Sequence, residues 1–351
     1  MNTSQPSESR ASSEAPAPSE PRASSEAAAP SEARASSDSR ASSGSRASES
    51  PASESRASGS RKRRRDGEFP PAPEPLAVPV FDSHTHLDIT VHEAGVPGGD
   101  GPGAAGVADP VEALITAAAK SGVDRLVQVG VDVESSRWGA ELAARHPSVL
   151  ATVALHPNEA PRLPDLDEAL REIEALAAQP RVRGLGETGL DTFRTGDEGR
   201  AAQEVSFRAH IAIAKRYAKP LIIHDREAHA DVLRVLDSEG APEAVVLHCF
   251  SGDADFAAEC VRRGYLLSFA GTVTFGNAAN LREAAALTPP EQMLVETDAP
   301  FLTPVPYRGR PNASYLIPVT MRALAETTGH DLDELCAAIS ANGDRVFGPW
   351  S

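Results

Sequence analysis

The sequence is short of several residue types, and each shortage excludes a class of protein. Only three of its 351 residues are cysteine, at positions 249, 260 and 336, and no pair has Cys-x-x-Cys spacing. We therefore expect reduced thiols rather than a disulfide framework. No apolar run is long enough to span a bilayer, and the N-terminus lacks the basic and then apolar layout of a signal peptide. These absences predict a cytoplasmic protein that does not lie in a membrane.

The first 76 residues have almost no apolar side chains beyond alanine. A segment of this composition cannot bury enough apolar surface to offset the entropy lost on ordering. We therefore predict a disordered tail over residues 1–76 and a folded domain over residues 77–351. An Arg-Ala-Ser unit recurs in the tail at irregular intervals without an apolar face to stack, which excludes a solenoid. The units begin at Arg10, Arg22, Arg34, Arg40, Arg46 and Arg56.

Basic charge is scarce in the predicted folded domain. The chain has 34 basic and 50 acidic side chains, and the first 76 residues carry 11 of each, so residues 77–351 hold the whole net charge of −16. An acidic domain argues against a long groove that tracks nucleic-acid phosphates. The basic run at 61–65 contacts phosphates, acts as a localisation signal, or is a solvated charge block that keeps a linker extended.

The domain does contain eight short apolar segments that alternate with amphipathic helical patterns. Such alternation predicts a parallel sheet covered by helices, and eight units in about 275 residues favour a (β/α)8 TIM barrel over an open doubly wound sheet. No Gly-x-Gly-x-x-Gly follows the first strand, which disfavours a dinucleotide site. The predicted strands are 76–80, 125–130, 149–155, 182–187, 220–224, 244–248, 265–269 and 293–298. The predicted helices are 110–121, 134–145, 165–178, 200–218, 228–238, 253–263, 278–287 and 332–340.

Side chains capable of chemistry stand where these predicted strands end. In a barrel the carboxyl ends of the strands converge on one mouth, so we expect these side chains to meet there. Asp82 and Asp88 are predicted to bond the far ring nitrogens of the first two histidines. The Gly-rich insert 95–106 in the first loop is either a lid or slack. The strand-end residues are His84, His86, His156, Glu187, His224, His248 and Asp298.

Imidazoles and carboxylates at one mouth predict a metal centre. Four imidazoles and two carboxylates exceed the needs of one tetrahedral ion, so two divalent ions that share a bridging carboxylate are the simplest arrangement. Mixed nitrogen and oxygen ligands suit Zn or Mn, as well as Fe or Co, better than Ca. Mg stays an alternative, although four imidazoles are an unusual cage for it.

Six motifs together resemble the TatD family of metal-dependent hydrolases, over residues 78–348. The resemblance implies an amidohydrolase-like barrel with divalent-metal-dependent deoxyribonuclease activity, and some relatives are linked to the removal of D-amino acids from tRNA. The motifs are FDSHTHLD at 81–88, GLGETGLD at 184–191, Gln203 with Phe207 and His210, PLIIHDR at 220–226, HCFSG at 248–252, and ETDAP at 296–300.

The resemblance also implies roles for the residues that match these motifs. Glu187 would bridge the two metals, and Asp298 would act as general base toward the water. His156 would meet the phosphate near the leaving group, and Arg226 would clamp its charge. The implied metal ligands are His84, His86 and Asp298 for one ion, and His224, His248 and the shared Glu187 for the other.

Three functions remain open at this stage. The first is a hydrolase of phosphodiester bonds in DNA, with 3′–5′ exonuclease action as a variant. The second is an ester or amide hydrolase such as a D-aminoacyl-tRNA deacylase, because the same activated water attacks carbonyl groups. The third is a catalytically idle scaffold whose tail tethers a partner. The segment after Asn312 reads Ala313-Ser314, where many relatives have a Glu and a Pro, and this departure leaves substrate preference open.

Four further residues have alternative interpretations. Glu296 is either a partner of a metal ligand or a salt-bridged strand residue, and Asp191 orients Glu187 or its own loop, or forms a turn. His210 falls within a helix, where a packed core histidine is the better interpretation. Strand alternation points Cys249 away from its neighbour His248, so we expect a buried thiol that faces the helices.

Overall fold

The computed structural model describes residues 68–93 and 109–350. The basic run 61–65, the Gly-rich insert 95–106 and the predicted tail up to residue 67 lie outside these ranges. Within them, every helix is too short or too polar to cross a lipid bilayer.

Eight parallel strands form one sheet in which each strand pairs with the next in chain order. The first and last strands approach each other where a parallel bridge joins Thr85 to Ala299, and His84 O accepts from Asp298 N at 2.9 Å. The predicted (β/α)8 barrel is therefore confirmed. The strands are β1 Val80–Thr85, β2 Val123–Val129, β3 Val149–Val153, β4 Val182–Asp191, β5 Leu221–Arg226, β6 Val245–Leu247, β7 Leu266–Phe269 and β8 Met293–Val295.

Helices lie between the strands, and most match the predicted bounds within three residues. Several begin at an aspartate whose carboxylate accepts from free N–H groups of the first turn, as Asp109 does from Val111 N and Glu112 N. Two helices were not predicted: α1 is too short for a clear period, and α9 has Pro318 in its first turn. The helices are α1 Leu87–Glu93, α2 Pro110–Lys120, α3 Val133–Arg145, α4 Leu166–Ala177, α5 Asp197–Tyr217, α6 His229–Glu239, α7 Ala254–Arg262, α8 Ala279–Leu287, α9 Ile317–Thr328 and α10 Leu332–Phe347.

The last helix runs past its predicted end at 340 because a glycine inside it serves packing rather than termination. A Cβ at Gly343 would lie 2.5 Å from the ring of Phe81 on β1, so the missing side chain lets α10 approach the sheet closely. Phe347 makes an edge-on contact with the same ring, with centroids 6.1 Å apart, and Trp350 packs on it at 6.1 Å. This apolar layer covers the outer face of β1.

The predicted tail boundary at residue 76 is wrong for its last nine positions. Phe69 and Leu76 are buried in the core of the barrel domain. Tyr315 OH donates to Pro70 O at 2.5 Å, and Arg310 Nε donates to Glu68 O at 2.7 Å. Phe69 supplies the apolar anchor that the composition of the tail as a whole lacks, so residues 68–76 pack with the domain.

Candidate active site

The carboxyl ends of the strands open into a cavity of about 550 Å³. Seven of the eight site residues predicted from the sequence line it, and the eighth, His84, is fully buried. The structure thus brings together side chains from six different strands or the loops that follow them. The lining residues among the eight are His86, His156, Glu187, His224, Arg226, His248 and Asp298.

Strand β1 supplies the first two imidazoles from one face. It begins at Val80, four residues later than predicted, because Pro79 has no N–H for the ladder, whereas Val80 N donates to Gly122 O at 3.0 Å. His84 therefore lies inside the strand and His86 just after it. Side chains two residues apart on a strand share a face, and the two Nε2 atoms are 3.2 Å apart.

These two nitrogens and two carboxylate oxygens form what we call the first donor cluster: His84 Nε2, His86 Nε2, Glu187 Oε2 and Asp298 Oδ1. His84 Nε2 is 3.4 Å from Glu187 Oε2 and 3.9 Å from Asp298 Oδ1. His86 Nε2 is 4.0 Å from Glu187 Oε2 and 3.4 Å from Asp298 Oδ1. A cation held about 2.0–2.1 Å from four tetrahedral donors separates those donors by about 3.4 Å. The donor atoms of His84, His86 and Asp298 lie within 4.8 Å of one another, so these three residues could hold a metal ion, with Glu187 Oε2 beside both imidazoles.

Hydrogen bonds prepare this cluster for a cation. His86 Nδ1 donates to Val129 O at 3.2 Å, because a carbonyl only accepts, and this leaves the lone pair of a neutral ring on Nε2 in the cluster. Burial lowers the pKa of His84, which favours its neutral form. Asp298 has a left-handed backbone with φ of 52°, which aspartate tolerates better than most residues. Its side chain thereby reaches both the cluster and the cavity.

We call Glu187 Oε1 and the three imidazole nitrogens near it, from His224, His248 and His156, the second donor cluster. Glu187 Oε1 lies 2.6 Å from His224 Nδ1, 2.9 Å from His248 Nε2 and 3.3 Å from His156 Nε2. Burial opposes ionisation of Glu187, but the charge of His248 and the bonds from the other imidazoles hold its pKa well below its usual range. Glu187 is therefore an anion between two clusters and offers one oxygen to each.

His156 differs from the other imidazoles in its tautomer. Its Nδ1 accepts from Asn158 N at 3.0 Å, so the proton of the neutral ring is on Nε2, which faces Glu187. Burial lowers the pKa of His156 and favours that neutral form. A ring of this kind offers an N–H donor to the cavity, whereas a metal ligand needs a lone pair there.

Two buried carboxylates each contact the imidazole nitrogen that does not face Glu187. Glu296 Oε1 is 3.1 Å from His248 Nδ1, and Asp191 Oδ2 is 3.3 Å from His224 Nε2. Donor atoms of Glu296, His84 and His248 also lie within 4.8 Å of one another, and the rings of these two histidines stack with centroids 3.8 Å apart. Glu296 thus contacts the predicted ligand His248. Asp191 contacts His224 rather than Glu187, and it also holds its own loop, because its Oδ1 accepts from Phe193 N and Arg194 N.

The predicted role of Asp82 and Asp88 is wrong. Neither contacts a ring nitrogen: Asp82 accepts from Thr297 N at 2.9 Å and Thr297 Oγ1 at 2.5 Å, and Asp88 accepts from Gln128 Nε2 at 2.9 Å. For His86 the reason is that the carbonyl of Val129 already occupies Nδ1, whereas Nδ1 of His84 has no hydrogen-bond partner among the described residues because Asp82 is bonded to Thr297. Asp82 instead joins β1 to the segment that carries Asp298.

The structure can be compared with two further predictions, for Cys249 from strand alternation and for His210 from its position within a helix. Cys249 has a φ of 43°, which breaks the strand alternation, and it lines the cavity rather than facing the helices as predicted. His210 is the packed core histidine that was predicted: its Nδ1 donates to Ser206 O at 2.7 Å and its Nε2 accepts from Leu155 N at 3.1 Å. Burial lowers the pKa of His210 to about 4.

Several lining residues were missed by the sequence analysis. Asn158 donates to Asp191 Oδ2 at 2.8 Å, and Arg194 and Phe301 line the cavity. Asn158 follows His156 by two residues in one loop, so its proximity to a strand-end histidine was a usable signal. Arg194 and Phe301 lie in loops without a periodic pattern, and no local signal marks them.

Comparison with known proteins identifies the chain. The sequence model of the family described as "TatD related DNase" matches residues 81–348, well over half of the chain. The chain belongs to the TatD family. This TatD chain is 46% identical over 273 residues to an uncharacterized metal-dependent hydrolase TatD of Mycobacterium tuberculosis, covering 77% of this chain and 98% of that protein. It is 35% identical to a protein of Citrobacter rodentium named 3′-5′ ssDNA/RNA exonuclease TatD, covering 67% of this chain and 90% of that one.

A solved structure gives the same result. The crystal structure of YjjV, a TatD homologue from Escherichia coli, matches with a TM-score of 0.68 at 27% identity, covering 76% of this chain and 97% of that one. The TatD resemblance inferred from six motifs is thus confirmed, and the protein is a metal-dependent hydrolase. The tail lies outside the family match, which starts at residue 81.

Proposed function

We propose that this TatD protein hydrolyses phosphodiester bonds of single-stranded DNA, in the 3′–5′ direction, at a centre of two divalent ions. One observation carries the proposal: the two oxygens of Glu187 face two separate donor clusters, as a bridging carboxylate requires. His84, His86 and Asp298 would hold one ion, and His224 and His248 the other. Two bound cations would lower the pKa of a water and offset charge on the phosphoryl oxygens.

Asp298 is the residue best placed to accept the proton of that water. Its side chain is 17% exposed, compared with 6% for Glu187, so it is the cluster carboxylate with more access to the cavity. Burial opposes ionisation of Asp298, but in the metal-free protein the bond from His86 and the charge of the neighbouring imidazoles lower its pKa, and a cation bound at the same donors would act in the same direction. A carboxylate ionised at neutral pH can act as general base.

His156 and Arg226 are the residues that favour a phosphodiester over a carbonyl group as the bond that is hydrolysed. The N–H of His156 Nε2 is a neutral donor suited to a phosphoryl or leaving-group oxygen. Arg226 lines the same cavity with a planar guanidinium that matches phosphate oxygens. The alternative of an idle scaffold gives no reason for burying this many charged and ionisable groups, which destabilises a fold.

The test begins with the metal. Purified protein should bind two equivalents of Zn or Mn by mass spectrometry of metals, and after reconstitution with Zn, Mn or Mg it should degrade 5′-labelled single-stranded DNA to products that shorten from the 3′ end. A charged D-aminoacyl-tRNA is the parallel substrate. Release of the amino acid without DNA cleavage would transfer the assignment to the deacylase, and metal-free, inert protein would refute both.

Arg226→Ala tests the phosphate assignment. We expect kcat/KM on DNA to fall by about 10²- to 10³-fold, the scale seen when one donor to a transition-state oxygen is removed, while metal content is unchanged. Arg171→Ala is the matched control, because Arg171 is an exposed arginine on α4 paired with Glu168. Unchanged cleavage by the Arg226 variant would count against phosphate.

The cytoplasmic location also stays a prediction.

A further inference from the structure

Phe193, in the loop between β4 and α5, presents an aromatic ring to solvent. Its side chain is 58% exposed. Among the large hydrophobic side chains that are exposed in the described ranges, it is the aromatic one, beside Val205, Leu287 and Val305. This loop forgoes the stabilisation that burial of the ring would give. More than half of the residue's surface is therefore open to a flat partner.

The loop that carries the ring is firmly held. Asp191 Oδ1 accepts from Phe193 N at 3.0 Å and from Arg194 N at 2.8 Å. On the other side, Thr192 Oγ1 donates to Glu227 O at 2.7 Å, and Thr192 N donates to Arg226 O at 3.1 Å. The ring therefore projects from a backbone fixed on both sides to its neighbours.

The same carboxylate joins this loop to the metal centre. Asp191 Oδ2 lies 3.3 Å from His224 Nε2, while Oδ1 holds the backbone of Phe193. The guanidinium carbon of Arg226 lies 4.1 Å from the centroid of the Phe193 ring, and Arg226 lines the cavity. Arg226 thus stands between the proposed phosphate position and the exposed ring.

We propose that Phe193 is a base-stacking residue: a base of the single strand whose phosphate lies at the centre stacks on its ring. This inference rests on the proposed function. A base offers a flat π-face whatever its identity, so stacking tolerates any sequence, as an exonuclease without sequence preference requires. It also supplies affinity that does not depend on basic charge, which is outnumbered by acidic charge in this domain.

The test compares Phe193→Ala, Phe193→Leu and Phe193→Trp with wild type on two kinds of single-stranded DNA. One is an unmodified oligonucleotide, and the other carries one abasic tetrahydrofuran residue placed in turn at each of the three 3′-terminal positions. For Phe193→Ala on unmodified DNA we expect KM to rise by about 5- to 150-fold with kcat nearly unchanged. Phe193→Leu should resemble Phe193→Ala, whereas Phe193→Trp should retain the wild-type KM. Val205→Ala is the control, since Val205 is 52% exposed on α5.

The abasic scan separates stacking from loop support. At one of the three positions, the abasic residue should raise the KM of wild type by the same factor as Phe193→Ala raises it on unmodified DNA. At that position the abasic residue should have no further effect on the KM of Phe193→Ala. Either of two results would show that the stacking role is wrong while the nuclease assignment stands. In the first, Phe193→Ala has the wild-type KM on unmodified DNA. In the second, every abasic position raises the KM of Phe193→Ala by the same factor as that of wild type. If wild type cleaves no oligonucleotide with any of the metals, the proposed function fails and the stacking role with it.

Discussion

The two faces of strand β1 have opposite chemistry. On the outer face, Phe81 packs against Gly343, Phe347 and Trp350 of the C-terminal segment in an apolar layer. On the inner face, His84 stacks on His248 and approaches the carboxylates of Glu187 and Asp298. Both side chains are fully buried and only three residues apart.

The contrast shows how the barrel separates stability from chemistry. Apolar burial on the outer face stabilises the fold, while each ionisable group buried on the inner face costs free energy until it is paired or bound to a cation. Substitutions on the outer face should therefore change the free energy of unfolding, and substitutions near the mouth should change metal affinity and catalysis.

The largest expected effect is on the outer face. Phe81→Ala should lower the free energy of unfolding by about 3–5 kcal/mol, because it removes a buried ring and leaves a cavity under α10. Urea unfolding followed by circular dichroism measures the change, and kcat of the folded variant should stay at the wild-type value. Phe193→Ala is the matched control and should alter the unfolding free energy by less than about 0.5 kcal/mol, because that ring is exposed. A stable Phe81 variant that had lost activity would contradict the separation.

The second effect concerns His210, which packs behind the loop that carries His156. Its pKa is about 4 in the folded state and 6.5 in the reference state, so the unfolded chain binds more protons between these values. The free energy of unfolding should therefore fall by about 3 kcal/mol from this group as the pH drops from 6.5 to 4.

The variant His210→Gln isolates that contribution. Glutamine can donate to Ser206 O and accept from Leu155 N but does not titrate, so unfolding of the variant should depend less on pH by about 3 kcal/mol over this range. Urea midpoints at pH 4.5 and pH 7.5 measure the difference. Replacement of the exposed His330 by glutamine is the control. Equal pH dependence in wild type and His210→Gln would show that His210 takes up its proton as readily in the fold as in the unfolded chain, which would contradict the lowered pKa.

The smallest expected effect is at the mouth. Glu296→Gln keeps the shape of the side chain that contacts His248 but removes its charge, and should weaken metal binding by about 10- to 100-fold. Isothermal titration with Zn or Mn gives the affinity. Glu134→Gln, at an exposed position in the first turn of α3, is the control. Wild-type affinity in the Glu296 variant would limit that carboxylate to a structural role.

Much of the fold and of the candidate site could be predicted from local sequence. The alternation of apolar segments with helical patterns identified eight strands, and histidines or carboxylates at their ends marked the mouth. Helix α10 was cut short at 340 because the packing of Gly343 on Phe81 is not visible locally. Cys249 was misplaced because its positive φ breaks the period on which the prediction depended.

By itself, the sequence determined the barrel and which imidazoles and carboxylates stand at its mouth, because both follow from periodicity and from the convergence of parallel strands at one end. Only the tertiary structure decided which atoms meet. Asp82 reaches Thr297, 215 positions away, rather than the neighbouring imidazoles, and the two oxygens of Glu187 divide the histidines between them. The physical reason is that a hydrogen-bond partner is selected by distance and direction in space, and the chain brings those partners together only when the barrel closes.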